Sequence, residues 1–320
     1  MKRFFTLAVL CSGSLLFWNC NPDDDTPKVT ERDRQEVYNE DINKIETFLK
    51  SNSIEINADG VKFTTTEPND ANAIWNQTTY QLQSVNVSNL PYYTNDQGVQ
   101  KLTDNVSYKL YYIVVNEGGG NYMNIYDNAF TAYTGYKLDQ TIFDTYPFGF
   151  WSAYPSFSTY TETITGYRQI LQKVKTATGI IENPDGTYTY ENPGRVIVFI
   201  PSGLGYFSSA PANGTIGQYE PLIFDITLIA NKEVDHDNDG ILDKYEDLNE
   251  NGDLWDDDTD GDGKANFIDI DDDGDGYTTR QEITFTVEEN GEMVQKIYPF
   301  NEIPSCEGGS VKKHLDKNCH

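Results

Sequence analysis

The chain has 320 residues, 51 of them acidic against 23 Lys and Arg, and a formal net charge of −28 at pH 7. That acid excess, with no basic patch, excludes a nucleic-acid partner held through phosphates, and neither a Gly-rich phosphate loop nor a zinc helix motif is present. The length allows about two domains with tethers, and after residue 20 no stretch holds the 18 or so apolar residues that cross a bilayer.

Residues 1–20 begin with Lys2 and Arg3, run through FFTLAVLCSGSLLFW and end at Cys20, the pattern of a secretory signal with a Cys at its boundary. This segment resembles a bacterial lipoprotein signal. The resemblance implies a lipid on Cys20 and a body held to the outer membrane, at its periplasmic face or the cell surface, by that anchor only. Phe17, Trp18 and Asn19 depart from the small residues usual there, which leaves ordinary secretory cleavage open, and Cys11 leaves with the signal. The NPDDD after the cysteine resembles a surface-export signal; a solvated tether over 21–40 is the other reading. Residues 41–50 then place Ile42, Ile45, Phe48 and Leu49 at helical spacing, and Asp59 with Gly60 marks a turn into a strand. The polar, Asn-rich stretch 64–98 gives no assignment.

Between residues 129 and 229 four blocks follow one another: AFTAYTGYKLDQTIFD, ITGYRQILQKVK, RVIVFIPSGLGY and EPLIFDITLI. Alternating Val, Ile, Phe and Tyr bounded by Gly, Pro and Asn predict strands, whereas Ile164, Tyr167, Leu171 and Val174 fall at helical spacing, so an antiparallel sheet with one packed helix is expected. The order of these blocks resembles an FKBP-type peptidyl-prolyl isomerase over residues 100–230, within a domain spanning 41–232. The resemblance implies an α+β fold, an antiparallel half-barrel wrapped on one helix, and a proline-containing polypeptide as substrate. It implies a groove with Tyr133, Phe143 and Asp144 as one wall, Ile164 and Tyr167 as rim and floor, and Tyr206 and Phe224 closing the other side. The Ile164 backbone N–H and the Tyr206 hydroxyl would hold substrate carbonyls. Three positions depart from the family pattern: Tyr167 replaces a Trp, Gln140, Thr141 and Ile142 replace the approach through Gly, and Ile216, Gly217 and Gln218 replace an Ile-Pro-Pro lip. Residues 180–195 read as an inserted hairpin turning at Asp185 and Gly186.

From Asp235 to Glu282 there are 19 acids against Lys244, Lys264 and Arg280, a net −16 in 48 residues. Such self-repulsion keeps a chain extended unless cations bind, and the spacing names the cation. DHDNDGILDKYE sets Asp235, Asp237, Asp239, Ile241, Asp243 and Glu246 at the ligand positions of a twelve-residue calcium loop, with Gly240 at its sharp turn. A second loop offers Asp247, Asn249, Asn251 and Asp258, with Trp255 at its ninth position. The third offers Asp258, Asp260, Asp262, Asn266 and Asp269, and the fourth Asp271, Asp273, Asp275, Tyr277, Thr279 and Glu282. Starts at 235, 247, 258 and 271 leave no room for the flanking helices of an EF-hand. The array, 233–284, instead resembles thrombospondin type-3 repeats, which implies two to four structural Ca²⁺ ions and little regular structure or other core. A disordered acidic linker, or an array that itself recognises a partner, are the other readings.

Residues 285–320 read as a hairpin turning at Asn290 and Gly291, then a tail in which Cys306 and Cys319 form a disulfide or, with His314 and His320, a thiol metal site. Three functions therefore stand: an envelope isomerase assisting folding of exported or surface proteins, a non-catalytic FKBP-fold assembly lipoprotein of the gliding-machinery type, and a calcium-dependent adhesion or scaffold protein.

Overall fold

Asp33 accepts the Glu36 N–H at 2.8 Å and so starts the first helix, α1 (Arg34–Ser51). Val37 and Asp41 extend the stripe of Ile45, Phe48 and Leu49 by two turns, so the helix begins seven residues before the expected 41 and takes in part of the expected tether. The computed structural model describes residues 31–320 except 58–59, 91, 96–97, 102–103, 157–159, 213 and 320, with the backbone alone for 92–95 and 98–101. Cys20, the signal, Asp59 and His320 therefore lie outside the described residues. Arg32–His320 cohere as one unit. Among the described residues no helix is long and apolar enough to cross a membrane.

After α1 come β1 (Asn52–Asn57), β2 (Gly60–Thr65), β3 (Leu82–Ser88), β4 (Tyr92–Asn95), β5 (Gly98–Lys101) and β6 (Ser107–Asn116). Next are β7 (Asn128–Lys137), β8 (Ile142–Ala153), β9 (Thr161–Glu162), the second helix α2 (Thr165–Leu171), β10 (Gly179–Glu182), β11 (Tyr188–Glu191), β12 (Gly194–Ile200) and β13 (Leu222–Lys232). A four-residue helix, α3 (Thr279–Glu282), and the hairpin β14 (Thr284–Glu289) and β15 (Glu292–Ile297) follow.

Seven strands form the main sheet in the order β3-β6-β12-β13-β7-β8-β9, antiparallel throughout except for the short β8–β9 pair. Successive side chains of a strand face opposite ways, and both faces are apolar here. Leu110, Val196, Val198, Phe224 and Ile226 pack under Tyr167, Ile170 and Leu171 of α2. Ile113, Ile197, Phe199 and Ile223 pack under Ile45, Phe48 and Leu49 of α1, with Phe63 from the β1–β2 hairpin. The expected α+β fold, an antiparallel sheet packed on the helix α2, is thus present, and the expected N-terminal helix, with the β1–β2 hairpin, adds a layer on the other face. Each fully buried Ile, Leu or Phe side chain contributes about 1.5–3 kcal/mol.

The acidic segment has more core than expected. Leu254, Ala265 and Phe267 share a buried cluster with Leu90, Ile125, Tyr126 and Tyr154 of the sheet domain. The Tyr126 hydroxyl accepts the Leu254 N–H at 3.0 Å, and a His236 ring nitrogen lies 3.2 Å from the Pro155 carbonyl. Ile241, Ile283 and Ile303 form a second small core, joining the first loop, the fourth loop and the tail. Cys306 and Cys319 are joined by a disulfide, their Cα atoms 5.7 Å apart.

Candidate functional site

Strand pairing places the first group of side chains. β7 lies between β13 and β8, so Gly135 pairs with both Phe224 and Asp144, and Tyr133 with both Ile226 and Tyr146. Lacking a side chain, Gly135 lets the Phe143 ring cross it; a Cβ there would stand 2.4 Å from that ring. Phe143 reaches Phe224 edge-on, centroids 5.4 Å apart, and Phe224 meets Tyr167 at 5.4 Å and Tyr133 at 5.6 Å. On the helix side Gly166 fits against Ile200, where a Cβ would come within 2.5 Å, and this close approach seats Tyr167 beneath the sheet's aromatic residues.

A cleft of about 140 Å³ opens between these elements, lined by Tyr133, Phe150, Thr161, Glu162, Thr163, Ile164, Tyr167, Tyr206 and Phe224. Five of the seven expected groove residues line it. Phe143 supports Phe224 from behind, and Asp144 is exposed at the edge, accepting the Tyr133 hydroxyl at 2.5 Å. Tyr167 forms the floor, 2% exposed, with its hydroxyl donated to Thr131 Oγ1 at 2.8 Å. Burial, followed by the bond to Asp144, pushes the Tyr133 hydroxyl above its ordinary range; burial and then the Asp144 charge do the same to Tyr206. Both remain neutral donors near neutral pH. The Ile164 N–H and the Tyr206 hydroxyl make no hydrogen bond among the described residues, which leaves two donors at the rim for a ligand. Phe150, packed on Tyr133 at 5.6 Å, escaped sequence reasoning.

The acidic loops share one internal pattern. The first-position carboxylate accepts the N–H of the sixth-position Gly in all four: Asp235 from Gly240 at 3.1 Å, Asp247 from Gly252 at 2.8 Å, Asp258 from Gly263 at 3.0 Å and Asp271 from Gly276 at 3.1 Å. Those glycines have φ of +110°, +81°, +97° and +93°, a conformation that favours Gly. Ninth-position side chains turn back to the second residue of their loop rather than to the acid cluster. Asp243 accepts the His236 N–H at 3.0 Å, Asn266 that of Thr259 at 3.0 Å and Thr279 that of Asp272 at 3.3 Å. These three expected ligands therefore act as loop locks. The second loop, with Trp255 at this position, uses the Asp257 carboxylate to accept from the Asn249 side-chain amide at 3.2 Å, while Asp258 sits with the third loop.

Among the described residues, carboxylate oxygens gather in four groups: Asp235, Asp237 and Asp239; Asp258, Asp260 and Asp262; Asp271, Asp273 and Asp275; and Asp239, Glu246 and Asp272. Buried oxygens of Asp235, Asp237, Asp239, Glu246, Asp271, Asp272, Asp273 and Glu282 have no hydrogen-bond partner. Burial first and neighbouring acids second push carboxyls here upward, Asp239 to about 7, Glu282 to about 8 and Asp272 to about 9. Orphaned, buried, oxygen-only donors fit a hard divalent cation.

Residues 236–313 match a protein-family model described as BamM C-terminal, rather than the thrombospondin type-3 repeats that the loop spacing resembles. The match runs across the boundary expected at residue 284. No curated protein matches the chain. Similar solved structures include a peptidyl-prolyl cis-trans isomerase of Pseudomonas syringae pv. tomato, with 22% identity over 39% of this chain and 76% of that one, TM-score 0.30. FkpA from Escherichia coli shows 20% identity over 44% of this chain, TM-score 0.29, and this chain spans 51% of its length. The N-terminal domain of FKBP42 from Arabidopsis thaliana shows 13% identity over 39% of this chain and 87% of that one, TM-score 0.29.

Proposed function

We propose that this chain is an FKBP-type peptidyl-prolyl cis-trans isomerase of the bacterial envelope, held to the outer membrane by a lipid on Cys20, with structural calcium in its acidic loops. The observation that carries the reading is the aromatic cleft floored by Tyr167 and walled by Tyr133, Phe150, Tyr206 and Phe224, with two unused donors at its rim. Rotation about an X-Pro bond faces a barrier of roughly 18–20 kcal/mol from amide resonance. A twisted amide has lost that resonance and its carbonyl gains less from water, so a desolvating aromatic pocket favours it over the planar ground state. The Ile164 N–H and Tyr206 hydroxyl would hold the flanking substrate carbonyls, and no nucleophile is needed. The match of residues 236–313 to the BamM C-terminal family supports an outer-membrane-related protein.

Asp235, Asp237, Asp239, Asp258, Asp260, Asp262, Asp271, Asp273 and Asp275 would hold the calcium. When bound, the cation neutralises the clustered carboxylates and cross-links the loops. The test of the isomerase is acceleration of proline isomerisation in a tetrapeptide by the purified protein, beside Tyr206→Ala and Phe224→Ala. Acceleration lost in both variants supports this cleft; a folded wild type without acceleration sinks the enzyme. A second reading, a binding domain on the same fold, is favoured by Asp144 standing outside the cleft and by Tyr167 in the place of a Trp.

A further inference from the structure

We propose that Asp239 and Glu246 of the first acidic loop and Asp272 of the fourth hold one divalent cation between them, so that a shared ion staples the two ends of the array. The proposal rests on the calcium reading above and adds to it a ligand that the loop pattern does not contain. Asp272 is the second residue of its loop, a position filled by His236 in the first loop and Thr259 in the third. One oxygen from each of the three carboxylates lies within 4.8 Å of the others. The side chains are 2%, 3% and 2% exposed for Asp239, Glu246 and Asp272. Asp239 Oδ2, both Glu246 oxygens and both Asp272 oxygens have no hydrogen-bond partner. Among the described residues no ion pair within 4 Å reaches any of them, and the nearby Arg280 donates its Nε to the Asn238 carbonyl at 3.2 Å.

Three like charges this close and this far from water need a counter-charge. The all-oxygen, carboxylate-rich donor set selects calcium over softer metals. The frame that brings the two loops together is independent of the acids. Ile241 and Ile283 meet in one apolar cluster, the Arg280 bond to Asn238 crosses from loop to loop, and Thr279 Oγ1 fixes the Asp272 backbone at 3.3 Å. Asp239 also belongs to the first loop's own group with Asp235 and Asp237, so filling of that loop is tied to the position of the fourth.

The experiment is calcium titration by calorimetry, with thermal unfolding in calcium and in chelator, for wild type, Asp272→Asn and the third-loop control Asp260→Asn. Asp272→Asn is expected to lose one site or weaken it by about 10- to 100-fold or more, the cost known for merely supporting groups. Its rise in melting temperature on adding calcium should be smaller than that of wild type, and Asp260→Asn should weaken a different site. Wild-type affinities in Asp272→Asn overturn the shared site and leave the calcium reading standing, whereas a wild type that binds no calcium overturns both. Should Asp272→Asn fail to fold, terbium anomalous scattering from wild-type crystals decides: a peak in ligand contact with all three carboxylates supports the site, and none there refutes it.

Discussion

The Tyr133 hydroxyl donates to the Asp144 carboxylate across 2.5 Å, joining β7 to β8 at the edge of the cleft. The bond fixes the ring that forms the cleft's wall, but Asp144 is exposed, so its contribution is about 1 kcal/mol, the figure for an ordinary neutral bond. Tyr133→Phe keeps the ring and removes the bond. Stability should fall by about 1 kcal/mol, and if the cleft catalyses isomerisation, kcat/KM should fall by up to about five-fold, since 1.4 kcal/mol corresponds to about ten-fold. A full-rate Tyr133→Phe in the tetrapeptide assay would show that Asp144 has no part in holding the wall.

Gly135 offers a sharper test of the aromatic packing. An added methyl would stand 2.4 Å from the Phe143 ring, 2.8 and 2.9 Å from its neighbouring atoms, so the ring must leave Phe224. Gly135→Ala is expected to cost about 1–3 kcal/mol, the range for overpacking, read as a lower denaturant midpoint at unchanged slope. Phe143→Leu in the same background should restore part of the loss, because the smaller side chain yields. Absence of rescue would place the strain elsewhere.

The sheet was legible where the pattern is local. RVIVFI and LIFDITLI announce β12 and β13, and the spacing of Ile164, Tyr167 and Leu171 announces α2 with Ile164 as its cap. The same unbroken apolar runs also signal strands covered on both faces, and the helix on the second face was legible too, in the spacing of Ile42, Ile45, Phe48 and Leu49. Phe150 was hidden because the β7–β8 register shifts twice, between Thr131 and Tyr133 and between Gly135 and Tyr136, which breaks the alternation that would assign its face. The loop ligands at first, third and fifth positions follow from spacing. Asp272 does not, since its place beside Glu246 depends on Ile241 meeting Ile283, a contact across 42 residues. Docking of Trp255 and Phe267 against Tyr154 and Tyr126 likewise has no local signature.

The tail depends on its disulfide. Cys306 and Cys319 close a loop with a sequence separation of 13, around His314, which is 1% exposed and held down to about 4 by burial and then the Lys312 charge. A loop of that length is worth about 3 kcal/mol in the chain-entropy account. Cys306→Ser with Cys319→Ser should lower stability by about 2–3 kcal/mol, and reducing agent should do the same to wild type and nothing further to the variant. Equal midpoints for all four samples would mean that the tail contributes nothing to the cooperative unit.

Calcium removal should make stability fall as pH rises. In the folded chain Asp239, Glu282 and Asp272 titrate at about 7, 8 and 9, raised by burial and then by neighbouring acids, while unfolded carboxyls titrate near about 4. Groups raised in the folded state hold protons that the unfolded chain has released. Their contribution is fully present below about pH 4 and is lost as pH climbs through the folded values, between about 7 and 9. In chelator the protein should therefore melt lower at pH 8 than at pH 5. Bound calcium requires the deprotonated carboxylates, so the rise in Tm on adding it should be larger at pH 8 than at pH 5. Scanning calorimetry at the two pH values, with calcium and with chelator, checks both signs. A calcium effect that shrinks on going to pH 8 would mean that these carboxylates are not where the ion binds.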